Sequence, residues 1–339
     1  MRKYYFRVDG GNAYSIATGH IMRCLKLADF ISVKEEARIY FIMKDYNEGV
    51  NLVKRKYRTN LLNRDIDFNN EINSIKNIIT KDSIFICDIR GVNNEYITKI
   101  KESCKKFVLF DDLRLKSIHP DILINPTPFC YEDYKQDNYH STTLLLGEKY
   151  FFINPSLSQS AYARNFKKDR YNIMASFGGA DPCNITGIFI KNIVPSLKGH
   201  HISIVLGSAY KKKSEIVKKY KDLESVKFYT DISPLDKLFL DNDIAFTCGG
   251  DTCIEACSSG IATFIISSIY YERQLGQLLH QKKMAYFVAD IEDIKNNDFD
   301  NNCLETLKTN NGLLNNLSKA GMNLIDGRGQ ERVYQAILN

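Results

Sequence analysis

A single histidine, His20, follows Gly19 at the head of the helical pattern GHIMRCLKLADFISV, one short loop after a strand. An imidazole titrates near neutrality and can take a proton from water or a hydroxyl. The positive end of a helix dipole disfavours the charged ring, so the expectation is a neutral imidazole. Two roles fit such a residue, general base or structural cap of the turn. Asp9 ends the preceding strand and is the candidate to orient His20. Asp88, Asp111 and Asp112 also stand at strand ends, either as caps or as neighbours of the same site.

A second set of candidates lies in the other half of the chain. FGGADPCNIT, residues 177–186, carries Gly178 and Gly179 after a strong strand. Two glycines let the backbone approach a ligand, and NIT can open a helix whose N–H groups attract an anion. The bland reading is a tight turn capped by Asp181. CGGDTCIEACSSG, residues 248–260, ends a strand at Gly249 and Gly250. Asp251 or Thr252 can cap the helix that follows, and Glu255 lies one turn on. Glycines, a capping hydroxyl and the dipole together make a cradle for pyrophosphate, and a carboxylate there can accept from a ribose diol. Glu255 otherwise only complements the dipole. In YYERQLGQLLHQKK, Gln274 and Gln277 are three apart on one helix face, where amides read sugar hydroxyls or phosphate, or simply meet solvent.

The elements that must hold these residues alternate. KYYFRVDGG, ARIYFIM, SIFICDIRG, KKFVLFDDL and DILINPTP read as strands in the first half. NEINSIKNII and NEYITKIKESC between them have helical spacing. A polar stretch, SLSQSAYARNFKKDR, interrupts the alternation. It then resumes with YNIMASFGG, HISIVLGS, VKFYT, DIAFTCGG, ATFIIS and MAYFV. Strand–helix alternation indicates parallel α/β architecture. The expectation is two doubly wound Rossmann-like domains, residues 1–155 and 156–339, with a cleft between them. The chain is helical from about Asn311 with a break at DGRGQ, and its last helix is expected to pack back on the first domain. In such sheets ligands sit at the carboxyl ends of the strands.

Composition narrows the classes. Of 339 residues, 44% are hydrophobic and 25% charged, an ordinary globular balance. No apolar run approaches the roughly 18–20 residues that span a bilayer. The N-terminus MRKYYFRVDGG is basic but has no apolar segment after it, so a signal peptide is not expected and the expected compartment is the cytoplasm. The net charge of +6 suits an anionic small molecule. Lys211, Lys212 and Lys213 form a cluster that reads as a solvated helix end rather than a nucleic-acid surface. Nine cysteines include no CxxC pair, and no histidine lies near Cys248, Cys253 and Cys257 to complete a zinc site. Cys24, Cys87 and Cys248 read as small core residues. Reduced thiols, no metal and no cofactor are expected.

The ordered set FRVDGG…GHIMRCLKLA, CDIRG, LFDDL, LINPTP, SFGGADPCN, CGGDTCIEA and DGRGQERV resembles the UDP-sugar hydrolases of pseudaminic acid biosynthesis and their spore-coat polysaccharide relatives. The resemblance runs over almost the whole chain, and the Gly19–His20 helix start and the GG-x-T-x-x-E element are its most specific parts. It implies a fold like the GT-B inverting glycosyltransferases, including the one that builds the peptidoglycan lipid precursor. It implies metal-free cleavage of a UDP-linked 2,4-diacetamido-2,4,6-trideoxy sugar by water at the anomeric carbon. His20 carries over as the base. Gly249, Gly250, Thr252 and Glu255, with Gly178 and Gly179, carry over to the nucleotide; Gln274 is a further nucleotide candidate, and Gly19, Arg90 and Asn125 are the substrate candidates. The chain departs from the pattern at Ala17, where relatives have glycine, and at Arg90, where the hydrolase has tyrosine. It departs again at Asn154 and Pro155, where relatives often show arginine. Arg90 suits a carboxylate or phosphate that the usual substrate lacks. Two alternatives stand beside hydrolysis, a glycosyltransferase of the same fold and a non-catalytic sugar-nucleotide-binding protein. The implied partner is a UDP-sugar; the oligomeric state is left open.

Overall fold

A computed structural model describes residues 1–11, 19–115, 117–135, 138–139, 141–159, 164–167, 169–230, 232, 234–296, 298–299, 304–305, 307 and 311–339. The loop NAYSIAT, with Ala17, lies outside the described residues. The chain divides into two units, one formed by Met1–Phe152 with Arg328–Asn339 and the other by Ile153–Gly327.

The first unit is built on seven parallel strands: β1 (Arg2–Val8), β2 (Ala37–Lys44), β3 (Arg58–Leu62), β4 (Ile84–Asp88), β5 (Lys106–Phe110), β6 (Ile122–Asn125) and β7 (Thr143–Leu146). Their order is β3-β2-β1-β4-β5-β6-β7. The central strands are continuous apolar runs because helices cover both faces of a parallel sheet. All five residues of β4 are buried. Two edge strands, β3 and β7, escaped the sequence reading. RTNLL and TLLL bury one residue each, and each has one β-branched residue and no aromatic to mark it as a strand. The helix Gly19–Lys34 buries Ile21, Cys24, Leu27, Ala28 and Ile31. That 3–4 spacing turns His20 and Arg23 together onto another face. The closing helix Gly329–Leu338 places Val333, Tyr334 and Ile337 in the same core. Its first glycine is required by contact: a Cβ on Gly329 would stand 2.1 Å from the Phe151 carbonyl oxygen.

The second unit holds six parallel strands, β8 (Asn172–Ser176), β9 (His201–Leu206), β10 (Val226–Thr230), β11 (Ile244–Thr247), β12 (Ala262–Ser267) and β13 (Tyr286–Asp290). Their order is β10-β9-β8-β11-β12-β13. All six were legible as strands. In each unit the order reverses next to the first strand, between β1 and β4 and between β8 and β11. These are the topological switch points at which open α/β sheets bind ligands. Among the described residues no helix is long and apolar enough to cross a membrane.

One half-buried arginine ties together the ends of two helices of the second unit. Arg164 donates to the carbonyls of Gly260 at 2.9 Å and Phe239 at 2.6 Å, and also to Asn242. Those carbonyls lie at the C-terminal ends of the helices Asp236–Asp241 and Asp251–Ser258, or just beyond, where carbonyls lack helical partners. Burial lowers the guanidinium pKa, and Asp243 partly offsets it. Arg164→Gln is expected to destabilise the protein by about 2–3 kcal/mol, the scale of lost charge-assisted bonds. Urea unfolding checks this; an unchanged midpoint would show that the cap is dispensable.

Candidate functional site

At the β1–β4 switch point of the first unit, four charged side chains from three elements converge. His20 Nδ1 lies 2.5 Å from Asp88 Oδ1. Asp88 ends β4 and is fully buried. Arg23, one turn after His20, donates from Nε and Nη2 to Asp88 at 2.9 and 2.8 Å. The same guanidinium donates from Nη1 and Nη2 to Asp112, both at 2.9 Å. It rests over the Phe110 ring at 4.7 Å. The Cys24 thiol lies 3.7 Å from the second Asp88 oxygen. Asp88 thus faces several donors and is held well below the usual carboxylate range: burial pushes it up, but the charges of Arg23 and His20 and their hydrogen bonds overcome that.

This geometry corrects two expectations. Burial pulls the His20 pKa down, but Asp88 beside it raises it further, with Asp112 adding to the rise and Arg23 opposing it. The net shift is upward, against the downward effect expected of the helix dipole. A buried carboxylate in contact outweighs half-charges at a helix end. The orienting group is Asp88 and not Asp9. Asp9 accepts from Arg7 Nη1 at 2.6 Å and Nη2 at 2.8 Å, and from the Lys44 N–H at 2.7 Å. Arg23 went unread in the sequence, although its three-residue spacing from the histidine placed it on the same helix face.

The other candidates of this unit separate. Asp111 is a loop cap, accepting from the N–H groups of Leu113 and Leu115 at 3.1 and 2.9 Å and from the Tyr134 hydroxyl at 2.9 Å. Asn125 is fully buried; its amide donates to the Tyr134 hydroxyl at 2.9 Å and accepts from the Thr127 N–H at 3.0 Å. It holds the loop after β6 and has no face for a sugar, contrary to the expectation. Gly19 is the first residue of the His20 helix, with open space around it. Arg90 lines a pocket of about 340 Å³ together with Asp9, His20, Lys44, Glu71 and Asp88. His20, Asp88 and Asp112 offer ligand-type atoms within 4.8 Å of one another, a cluster that sequence spacing hid. Their negative charge is met by the fixed Arg23 guanidinium, which a divalent cation would have to displace.

In the second unit the glycine turns meet at the β8–β11 switch point. A Cβ on Gly178 would lie 3.9 Å from Cys248 Sγ, and one on Gly249 would strike the Glu272 carbonyl at 2.3 Å. A Cβ on Gly207 would fall 2.3 Å from the Gly179 carbonyl. Gly178 itself has φ +84°, open to glycine at little cost. At Gly249 and Gly207 the backbones approach too closely for any side chain, while Gly178 is set by its positive φ and not by crowding. The FGG turn has its helix already capped: Asp181 accepts from the N–H groups of Ile185 and Thr186 at 2.7 and 2.9 Å. Those donors, expected to attract an anion, are occupied. The Asp251–Ser258 helix differs, since its N-cap is Gly250 and neither Asp251 nor Thr252 takes that place. Thr252 and Glu255 are half-buried in its first two turns. Gln274 is exposed and donates to the Tyr270 hydroxyl at 3.0 Å.

Comparison with known proteins fits this architecture. The Acinetobacter baumannii MurG structure superposes with a TM-score of 0.67 over 99% of both chains at 12% identity. Anabaena HepE in complex with UDP superposes at 0.62 over 100% of both chains at 9% identity. The chain has a GT-B glycosyltransferase-like fold. No protein-family model matches it. It is 24% identical over 332 residues to the spore coat polysaccharide biosynthesis protein SpsG of Bacillus subtilis, covering 96% of this chain and 94% of that one. It is 26% identical over 267 residues to an uncharacterized protein of Methanocaldococcus jannaschii, 76% of this chain and 54% of that one. The chain thus spans about half the length of that relative.

Proposed function

We propose that this protein hydrolyses a UDP-linked sugar, with His20 as the general base. The observation that carries the reading is the contact of His20 Nδ1 with the buried, ionised Asp88. That contact puts the ring proton on Nδ1 and leaves the Nε2 lone pair to accept one. Nε2 is 4.0 Å from Asp112, too far for a hydrogen bond. In the proposed step a water oxygen bonds to the anomeric carbon and its proton passes to Nε2. The bond from that carbon to the phosphate oxygen breaks, and UDP departs with the electron pair. The raised pKa makes the neutral ring a stronger acceptor.

The second unit binds the nucleotide in this reading. The Gly249–Gly250 turn and the start of the Asp251–Ser258 helix supply donors to the diphosphate, where charge develops on the leaving group. The likeness to SpsG, and to a fold solved with UDP in HepE, supports a nucleotide-sugar substrate. The sequence resemblance points to a 2,4-diacetamido-2,4,6-trideoxy sugar or a close relative, in nonulosonic acid or surface polysaccharide biosynthesis. Incubation with a panel of UDP- and CMP-sugars, read by mass spectrometry, tests it: free sugar and UDP support hydrolysis, and no turnover on any donor removes it. The likeness to the MurG fold favours one second reading, in which the same base deprotonates an acceptor hydroxyl. Transferred sugar with no free sugar identifies that case.

Two further results are expected. Glu255→Ala weakens UDP binding by about 1.5–3 kcal/mol, the range for a hydrogen bond to a charged group. Unchanged affinity in calorimetry of the folded variant would remove Glu255 from the site. Turnover persists in EDTA, because Arg23 already neutralises the carboxylates that a cation would need. Loss of activity in EDTA, restored by magnesium or manganese, would overturn the metal-free step.

A further inference from the structure

The pocket at the β1–β4 switch point has a floor of matched charges. Arg7 is fully buried and donates to Asp9 and, from Nε, to Glu71 at 3.0 Å. Glu71 also accepts from the Tyr96 hydroxyl at 3.1 Å and lies 3.7 Å from Lys44 Nζ. Asp88 is met by Arg23 and His20. Two cations therefore face two carboxylates on one side, and on the other the dyad has its own guanidinium. Tyr46, Phe68 and Ile89 add apolar wall.

Arg90 is the exception. It is exposed, lines the pocket, and makes no ion pair or hydrogen bond among the described residues. It follows β4 by two positions, and the turn that presents it needs Gly91 at φ +84°. A cavity of about 340 Å³ is at the small end for ligand sites, suited to a sugar-sized body. The net effect is a neutral bed with one unmatched, forked donor at its edge. Guanidinium is suited to a carboxylate through two parallel hydrogen bonds.

We infer that this pocket binds the sugar portion of a substrate that carries a carboxylate, with Arg90 as the residue that selects it. The inference rests on the nucleotide-sugar reading above but departs from the neutral trideoxy sugar of the sequence resemblance, putting an acidic sugar in its place. It assigns Arg90 to the sugar and not to the diphosphate, which in that reading belongs to the second unit.

The test uses the full chain labelled with ¹⁵N and two free probes, D-glucuronate and D-glucose. Affinities for both sugars and for UDP are measured by calorimetry in the wild type and in each variant, and in the labelled wild type a shift of the Arg90 Nε–Hε signal on adding glucuronate places the carboxylate on that side chain. Glucuronate is expected to bind saturably and at least about tenfold tighter than glucose, the effect of one charge-assisted contact. Arg90→Gln is expected to abolish that preference and leave UDP affinity as it was, while Arg90→Lys keeps part of it. Arg90 is exposed, so both variants should fold, which circular dichroism verifies. Equal affinity for the two sugars, binding of neither, or a preference that survives Arg90→Gln overturns the inference. A loss of UDP affinity in Arg90→Gln also overturns it, by placing the guanidinium on the diphosphate. An intact glucuronate preference in a protein that cleaves no UDP-sugar supports the pocket assignment and retires hydrolysis alone.

Discussion

Replacing His20 by asparagine is expected to lower kcat by about 10²–10⁴, the usual cost of removing a general base. UDP affinity is expected to stay nearly unchanged, because the proposed nucleotide contacts lie in the other unit. Asparagine retains a polar group near Asp88 but has no titratable nitrogen. The wild-type pH profile has a definite sign. The base works only when neutral, so the rate falls as pH drops through the imidazole pKa. Asp88 overcomes burial and raises that pKa, so the acid limb is expected at higher pH than for an unperturbed histidine. The same shift gives the folded protein a contribution that is full below the unfolded pKa and fades as pH rises through the folded one. Near-normal turnover in His20→Asn would make the ring a structural cap and direct attention to Asp112. Loss of UDP affinity in step with turnover would instead break the assignment of roles to the two units.

The alternation of apolar runs and helical patterns was enough to read both sheets, because central parallel strands are buried on both faces and look alike in any such fold. It failed at β3 and β7, edge strands with one β-branched residue each and no aromatic, whereas the edge strand β10, VKFYT, was legible from its valine, aromatics and threonine. The candidate site was legible only in part. His20 stood out because an ionisable ring at a strand–helix junction is unusual, and Asp88 was noticed as a strand end. Their pairing was invisible, since 68 residues separate them and only the β1–β4 adjacency brings them together. Asp9 was closer in sequence and therefore the natural guess, yet Arg7, two residues before it on the same strand, claims it. Asn125 looked polar at a strand end, where ligands bind, but a polar residue there also serves to tie down its own loop. Arg23 was hidden for a different reason: on a helix, arginine is usually a solvated surface residue. Only the strand-end carboxylates Asp88 and Asp112 reveal it as a bridge.

Asp88→Asn is expected to lower kcat by at least on the order of 10², as for a carboxylate that sets the tautomer of a working histidine. Asp88 is a positioning residue: it fixes the proton on Nδ1 and raises the basicity of Nε2. An amide can donate to Nδ1 as readily as accept from it, so the ring can turn its proton onto Nε2 and lose its lone pair there. The variant also removes the largest influence raising the His20 pKa, and the acid limb of the pH–rate profile is expected to move to lower pH. Stability should fall as well, by about 3 kcal/mol, since the substitution breaks a buried pair, although Arg23 keeps Asp112. Here the sign is opposite to that of the histidine. The carboxylate's pKa is depressed below 3.8 in the fold, so its contribution is present above the unfolded value and is lost as pH falls. The variant should therefore lose part of the acid sensitivity of unfolding. A purely structural Asp88 would lower stability and leave the pH–rate limb of the surviving activity where it was. Movement of that limb, measured on the folded fraction, is the result that ties Asp88 to the base; a fixed limb would separate the two.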